Sequence, residues 1–259
     1  MFRGIKVTRK WLLIGVTIAV SKVAVAGDAP AATPFRPTLS NPAELSAPGW
    51  FEVEAGWVRT HRGQTRREAV PYTAKLAFNE DWGVLLGGEA QVREGDPDAV
   101  RSGFGDTSFT LKRRFATNNE NLNFGVEAGT KYPSARVPLG TGKTDWTLNG
   151  IASLDFAQSW RVDANLGFTR LGMVEEGRHK TSALWAVALS TSLGKWGLAA
   201  ERSGVHQNGV DNGRQWLAAA SYAITPRFVI DFGMSRNRQG GETERAAFLG
   251  FTWLTEKIF

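Results

Sequence analysis

From Trp50 onward, apolar side chains recur at every second position and the residues between them are polar. Phe51, Val53, Ala55 and Trp57 alternate with Glu52, Glu54 and Gly56. Trp82, Val84, Leu86, Ala90 and Val92 oppose Glu89, Gln91 and Arg93. The pattern is cleanest mid-chain. There Trp146, Leu148, Ala152, Leu154 and Phe156 oppose Asp145, Asn149, Ser153 and Asp155, and Trp160, Val162, Ala164, Leu166 and Phe168 oppose Arg161, Asp163, Asn165 and Thr169. About twelve such runs follow one another, the last carrying Ala247, Leu249, Phe251 and Trp253. Period-two alternation predicts strands with one apolar face, and it excludes amphipathic helices, whose apolar positions recur every three to four residues.

The connections choose between a soluble sandwich and a membrane barrel. Short ones fall near Asn79–Asp81, Thr117–Glu120, Ala157–Ser159, Gly194–Lys195 and Thr225–Pro226. Longer polar ones are expected near 62–69, 94–102, 132–144, 171–180, 206–213 and 236–244. Their strict alternation predicts tight periplasmic turns and longer external loops. Aromatic residues gather at the strand ends: Phe78, Trp82, Phe115, Phe156, Trp160, Trp196, Tyr222 and Phe228 beside the short turns, with Trp57, Trp146, Phe168, Trp216 and Trp253 expected nearer the long loops. Two such belts are what the two bilayer interfaces select. The expected fold is all-β, a transmembrane antiparallel up-and-down barrel of about twelve strands over 50–259.

The first residues read as an export signal. A basic stretch at 1–10 precedes the apolar run 11–20, which is too short to span a bilayer, and Ala24-Val25-Ala26 offers small residues for cleavage before Gly27. The predicted organisation is a signal peptide at 1–26, a periplasmic lead-in at 27–49 and the barrel from 50 onward. The lead-in is rich in Pro, Ala, Ser and Thr and is expected to be irregular, without a core of its own. The formal charge of +6 belongs mainly to the leader, whose five bases and no acid leave 26 bases against 25 acids in the remainder. That near-neutral balance argues against a nucleic-acid partner. The absence of cysteine excludes disulfides and thiolate metal sites.

Three stretches resemble the transporter family named for the meta-cleavage pathway of phenol degradation: RPTLSNPAELSAPGWFEVEAGW at 36–57, GFGDTSFTLKRRF at 103–115 and LGTGKTDWTLNGIASLDF at 139–156. The resemblance implies an outer-membrane barrel passing small, often aromatic or apolar, compounds. It supplies no catalytic residues. The partners expected are outer-membrane lipid, a small-molecule solute and the barrel assembly machinery, which reads a terminal aromatic such as Phe259. The expected location is the bacterial outer membrane, after cleavage near Ala26.

Candidate chemistry is sparse, and no cofactor is expected. The glycine-rich LGTGKT at 139–144 lacks the full phosphate-loop spacing and is followed by a strand rather than a helix. His61, His179 and His206 lack zinc-ligand spacing, and the nearest Ser–His pairs, His179 with Ser182 and His206 with Ser203, have no evident third group. The inward-facing set is more informative. It is expected to line the lumen with Glu52, Glu54, Lys75, Glu89, Arg93, Asp106, Lys112, Arg114, Glu127, Lys131, Asp145, Asn149, Asp155, Arg161, Asp163, Asn165, Glu201 and Asp231. In so narrow a barrel these charges either brace the wall or set the selectivity of a polar conduit. The function expected is passive passage of small solutes. The alternatives are a closed structural or interaction barrel and a lipid-modifying barrel enzyme.

Overall fold

The structure, a computed structural model, describes residues 30–96, 99–137, 139–173 and 180–259. The expected leader at 1–26 and His179 lie outside the described residues. Thirteen strands are seen within them: β1 (Trp50–Arg62), β2 (Thr65–Ala77), β3 (Trp82–Asp96), β4 (Ala99–Gly103), β5 (Thr107–Ala116), β6 (Leu122–Tyr132), β7 (Asp145–Phe156), β8 (Trp160–Arg170), β9 (Thr181–Leu193), β10 (Trp196–Gln207), β11 (Val210–Thr225), β12 (Phe228–Gln239) and β13 (Glu242–Lys257). Sequence neighbours pair antiparallel, and β1 pairs with β13 as well as β2, which closes the sheet. Short β4 pairs only with the outer end of β3, while the lower part of β3 pairs with β5. Twelve strands therefore form the wall, and β3–β4 is a hairpin projecting beyond it.

The alternation divides the wall as the pattern predicts. Leu148 and Leu166 are exposed on the outside, where lipid would meet them, while Asp163, Asn165 and Ser153 are buried inside. Closure leaves no unpaired edge in the twelve-strand wall, which a bilayer without hydrogen-bonding solvent requires.

Four of the six expected long loops are not loops: the described residues of 94–102 belong to the paired strands β3 and β4, and three others are tight hairpins. β1–β2, β10–β11 and β12–β13 are joined by two residues each, and the polar stretches 62–69, 206–213 and 236–244 are mostly strand. Beyond the bilayer both faces of a strand meet water, so alternation fades although the hydrogen-bond ladder continues. Gly63, Gly209, Gly240 and Gly241 make these tight turns with positive φ, a conformation glycine adopts without steric cost. Longer connections persist at 133–144 and 171–180.

One further assignment changes. Trp253 pairs with Phe228 and Val53, so it belongs to the belt beside the short turns, not the one nearer the loops. Arg113, on the outer face, stacks over Trp82 and Phe115 of that same belt, with its guanidinium 4.9 and 4.6 Å from the rings. A long cationic side chain at this level keeps its stem in the apolar layer and its head at the interface.

Candidate functional site

The expected periplasmic lead-in does not stay at the rim. Residues 30–49 begin at the short-turn end, where the Ala32 amide donates to the Pro226 carbonyl (2.9 Å). The segment climbs into the lumen and returns to Gly49, which donates to Ala77 at the same end (2.9 Å). It has no secondary structure of its own, so its amides need partners. The wall supplies them. Thr33 donates to Glu52 (2.8 Å), Phe35 and Arg36 to Glu54 (2.6 and 3.2 Å), Leu39 and Ser40 to Glu201 (2.8 Å each), Asn41 to Asn165 (3.0 Å) and Ala43 to the Ser153 hydroxyl (2.8 Å). These partners sit on β1, β7, β8 and β10, so the segment is held from several sides of the barrel.

Side chains complete the plug. Arg36 makes a two-pronged contact with Asp231, 3.2 Å to each oxygen. Glu44 ion-pairs with Arg161, which also reaches Asp155 and Asp163 (3.2 and 3.0 Å). The Asn41 amide donates to Glu127 (3.0 Å). Phe35 is 6% exposed, with the Lys75 and Lys112 ammonium groups 3.9 and 4.0 Å from its ring centre. Cations over an aromatic face in a desolvated site contribute about 2 kcal/mol or more. Lys75 also holds Glu54 at 2.6 Å and donates to the Thr33 carbonyl, and it ion-pairs with Glu52 without an aligned hydrogen bond to Oε1. Lys112 pairs with Glu127 (3.2 Å) and donates to the Pro42 carbonyl (2.6 Å). Among the described residues no cation pairs with Glu201. Two amides and the Ser40 hydroxyl stabilise its charge instead.

A second cluster lies towards the loop end. Lys131 bridges Asp106 (3.1 Å) and Asp145 (3.0 Å) and donates to Thr141 (2.8 Å). Asp106 also accepts from the Ala135 amide, and Asp145 from the Gly172 amide. Two of the sequence stretches singled out above thus meet in space. A Cβ at Gly140 would lie 2.5 Å from Asp106 Oδ1, so glycine there permits the close approach of the 133–144 loop. Beside this cluster a cavity of ≈ 820 Å³ opens between Glu89, Asp106 and Lys131 on the wall and Val137, Leu139 and Met173 on the loops.

The remaining inward residues divide as follows. Asn149 donates to Glu127 and Asn165 (2.9 and 3.0 Å), Arg114 to Asn123, and Glu89 accepts from Arg67. Arg93 does not face the lumen. A bulge between Ala69 and Pro71 sets the β2 pairing from Glu89 to Val92, reversing the parity of β3 beyond it. Val92 becomes fully buried inside, and Arg93 pairs outward with Glu68 and Ser102. A one-residue slip moves every later side chain to the other face. Ser203 and His206 lie three residues apart on one strand and hence on opposite faces. Ser203 is buried, while both His206 ring nitrogens contact Asn212 and Asn208.

The plug is what sequence reasoning missed. The signal available was the surplus of inward carboxylates over inward cations, together with the two charges of 30–49, Arg36 and Glu44, that would complement Asp231 and Arg161.

No curated protein sequence matches the chain. Solved structures do. It is similar to an outer membrane channel from Pseudomonas putida F1, with a TM-score of 0.67 at 12% identity over 82% of this chain and 98% of that one. The porin NanC gives 0.57 at 9% identity over 79% and 100%. The CymD monoaromatic hydrocarbon channel gives 0.52 at 9% identity over 82% and 90%. At these identities the likeness is one of fold, the outer-membrane barrel. The family model described as the putative MetA-pathway of phenol degradation matches residues 52–255, most of the barrel, and the chain belongs to that family.

Proposed function

We propose that this protein passes small solutes, apolar and aromatic ones among them, passively across the outer membrane, and that the N-terminal segment regulates the passage. The observation that carries this reading is the nature of the obstruction. The lumen is filled from below by one irregular segment, held by side chains rather than by sheet pairing, while a cavity with apolar loop side chains opens above it. CymD, similar in fold, is described as a monoaromatic hydrocarbon channel, which supports the solute class. The same plug favours a second reading, a permanently closed barrel serving as scaffold. The Ser203–His206 pair does not favour the lipid-modifying reading, since the two side chains point to opposite faces.

Conductance in planar bilayers tests this. Inner carboxylates outnumber inner cations, and charges in a narrow passage act on permeant ions with little screening. The expected result is small conductance weakly favouring cations, altered by neutral aromatic solutes. A strong anion preference overturns the lumen assignment. Absence of conductance, together with normal aromatic uptake in cells lacking the protein, returns the scaffold reading.

Export and assembly belong to the same proposal. The leader is cleaved after Ala26, and exposed Phe259 at the short-turn end is offered to the assembly machinery. N-terminal sequencing of the membrane-inserted protein is expected to return Gly27; Met1 would contradict cleavage.

A further inference from the structure

The outer face of the wall carries a basic patch that the passage of solutes does not use. In the cross-strand register, Arg202 of β10 lies opposite Trp216 of β11, Trp216 opposite Arg236 of β12, Arg236 opposite Arg245 of β13, and Arg245 opposite His61 of β1. In the next row outward, Arg214 faces Arg238. All these side chains share the parity of Leu198, Ala218, Phe232 and Leu249, and so point away from the lumen. Arg214, Arg236, Arg238 and Arg245 are exposed, and among the described residues none is in an ion pair. The carboxylates nearby in sequence, Glu242 and Glu244, have the opposite parity, and Glu242 is held by Arg62.

The height of the patch is informative. On β12 the apolar outer positions run Phe228, Ile230, Phe232, Met234, and Arg236 follows directly. Eight residues at ~3.3 Å rise, tilted by ~40°, place Arg236 roughly 20 Å above Phe228, near the far edge of a ~25 Å apolar band. Arg202 stacks on Trp216, 4.3 Å from its ring, at that same level. Around the barrel the equivalent sector of β6–β8 presents Tyr132, Trp146 and Phe168 with Arg170 as its one arginine there, so the charge is local to one side.

Two arginines directly opposite on neighbouring strands repel, and here two such pairs are stacked without an acid between them. An anion held between them would relieve that repulsion. Guanidinium groups suit phosphate, which they bind in a two-pronged fashion. At the outer interface, above an apolar wall, the phosphate available is that of a membrane lipid. We propose that Arg214, Arg236, Arg238 and Arg245 form a binding site for the phosphate groups of an outer-leaflet glycolipid of lipid A type, with its acyl chains lying along Met234, Phe232 and Leu249.

Retention of lipid A by the purified full barrel, read by native mass spectrometry, tests the site. Wild-type protein is expected to keep bisphosphorylated lipid A through detergent exchange and to lose its dephosphorylated form. Arg236→Gln with Arg245→Gln is expected to cut retention about tenfold or more, since basic residues near an anionic surface contribute individually. Arg214→Gln with Arg238→Gln provides a second, independent variant, and Arg170→Gln on the far side should leave retention unchanged. Heat-modifiable gel migration confirms folding. Wild-type retention in both double variants overturns the proposal, as does equal retention of dephosphorylated lipid A. Displacement of lipid A by inorganic phosphate at low millimolar concentration also overturns it, by showing a small-anion site.

Discussion

Deleting residues 30–46 is expected to raise the time-averaged conductance of the barrel roughly hundredfold, because a net docking free energy of only about 3 kcal/mol keeps a displaced plug near 1% population. The contacts are ample for that. Glu54 and Glu201 each accept two backbone amides, Arg36 meets Asp231 in a two-pronged contact, and Phe35 lies between two ammonium groups. Hydrogen bonds to charged groups contribute about 1.5–3 kcal/mol each, set against the entropy of ordering an irregular segment. The barrel itself should survive the deletion, since its wall is a closed hydrogen-bonded cylinder and water would enter to solvate the freed carboxylates. Single-channel recording checks this. Equal conductance of the truncated and full-length proteins, both folded, would show that the segment is not the barrier.

The barrel was legible in the sequence because a membrane wall imposes one rule on every strand, lipid outside and polar lumen inside, and Leu166 beside Asn165 obeys it. The rule fails in two physical circumstances. Where strands leave the bilayer, as at Arg62 and Thr65 or Gln239 and Glu242, both faces meet water, and paired strand looks like loop. Where a bulge intervenes, as at Ala69–Pro71, parity reverses and Arg93 lands outside. The wall side of the candidate site was visible as a set of inward charges, but their partner was not. The 30–49 segment has too few apolar residues to announce a buried position, and it becomes buried only because the wall supplies its hydrogen bonds. Ile151, 4% exposed on the otherwise polar inner face of β7, is the trace of that burial: it packs near Ala43 of the plug, beside Gly125.

Lys75→Met is expected to be the most destabilising single substitution in the lumen. Lys75, Glu52 and Glu54 have side chains at most 2% exposed, and the ammonium lies between the two carboxylates. A buried ion pair gains little over an apolar replacement of both partners, because desolvation offsets attraction. Removing one partner alone leaves an uncompensated buried charge, at a cost of about 3–5 kcal/mol. Here two carboxylates, two residues apart on one face of β1, would be left without their cation. The Thr33 carbonyl loses its donor, and Phe35 keeps only Lys112. The least costly escape is displacement of the plug, so the variant should also conduct more than wild type. Converting the carboxylates as well, in Lys75→Met with Glu52→Gln and Glu54→Gln, is expected to recover most of the loss. The side-chain amide oxygens can still accept from Thr33 and Phe35, and no charge remains to be solvated. Denaturant unfolding in lipid vesicles, with conductance measured in parallel, separates the two variants. If the triple variant is as unstable as Lys75→Met alone, packing of the lysine stem rather than its charge holds this end of the plug.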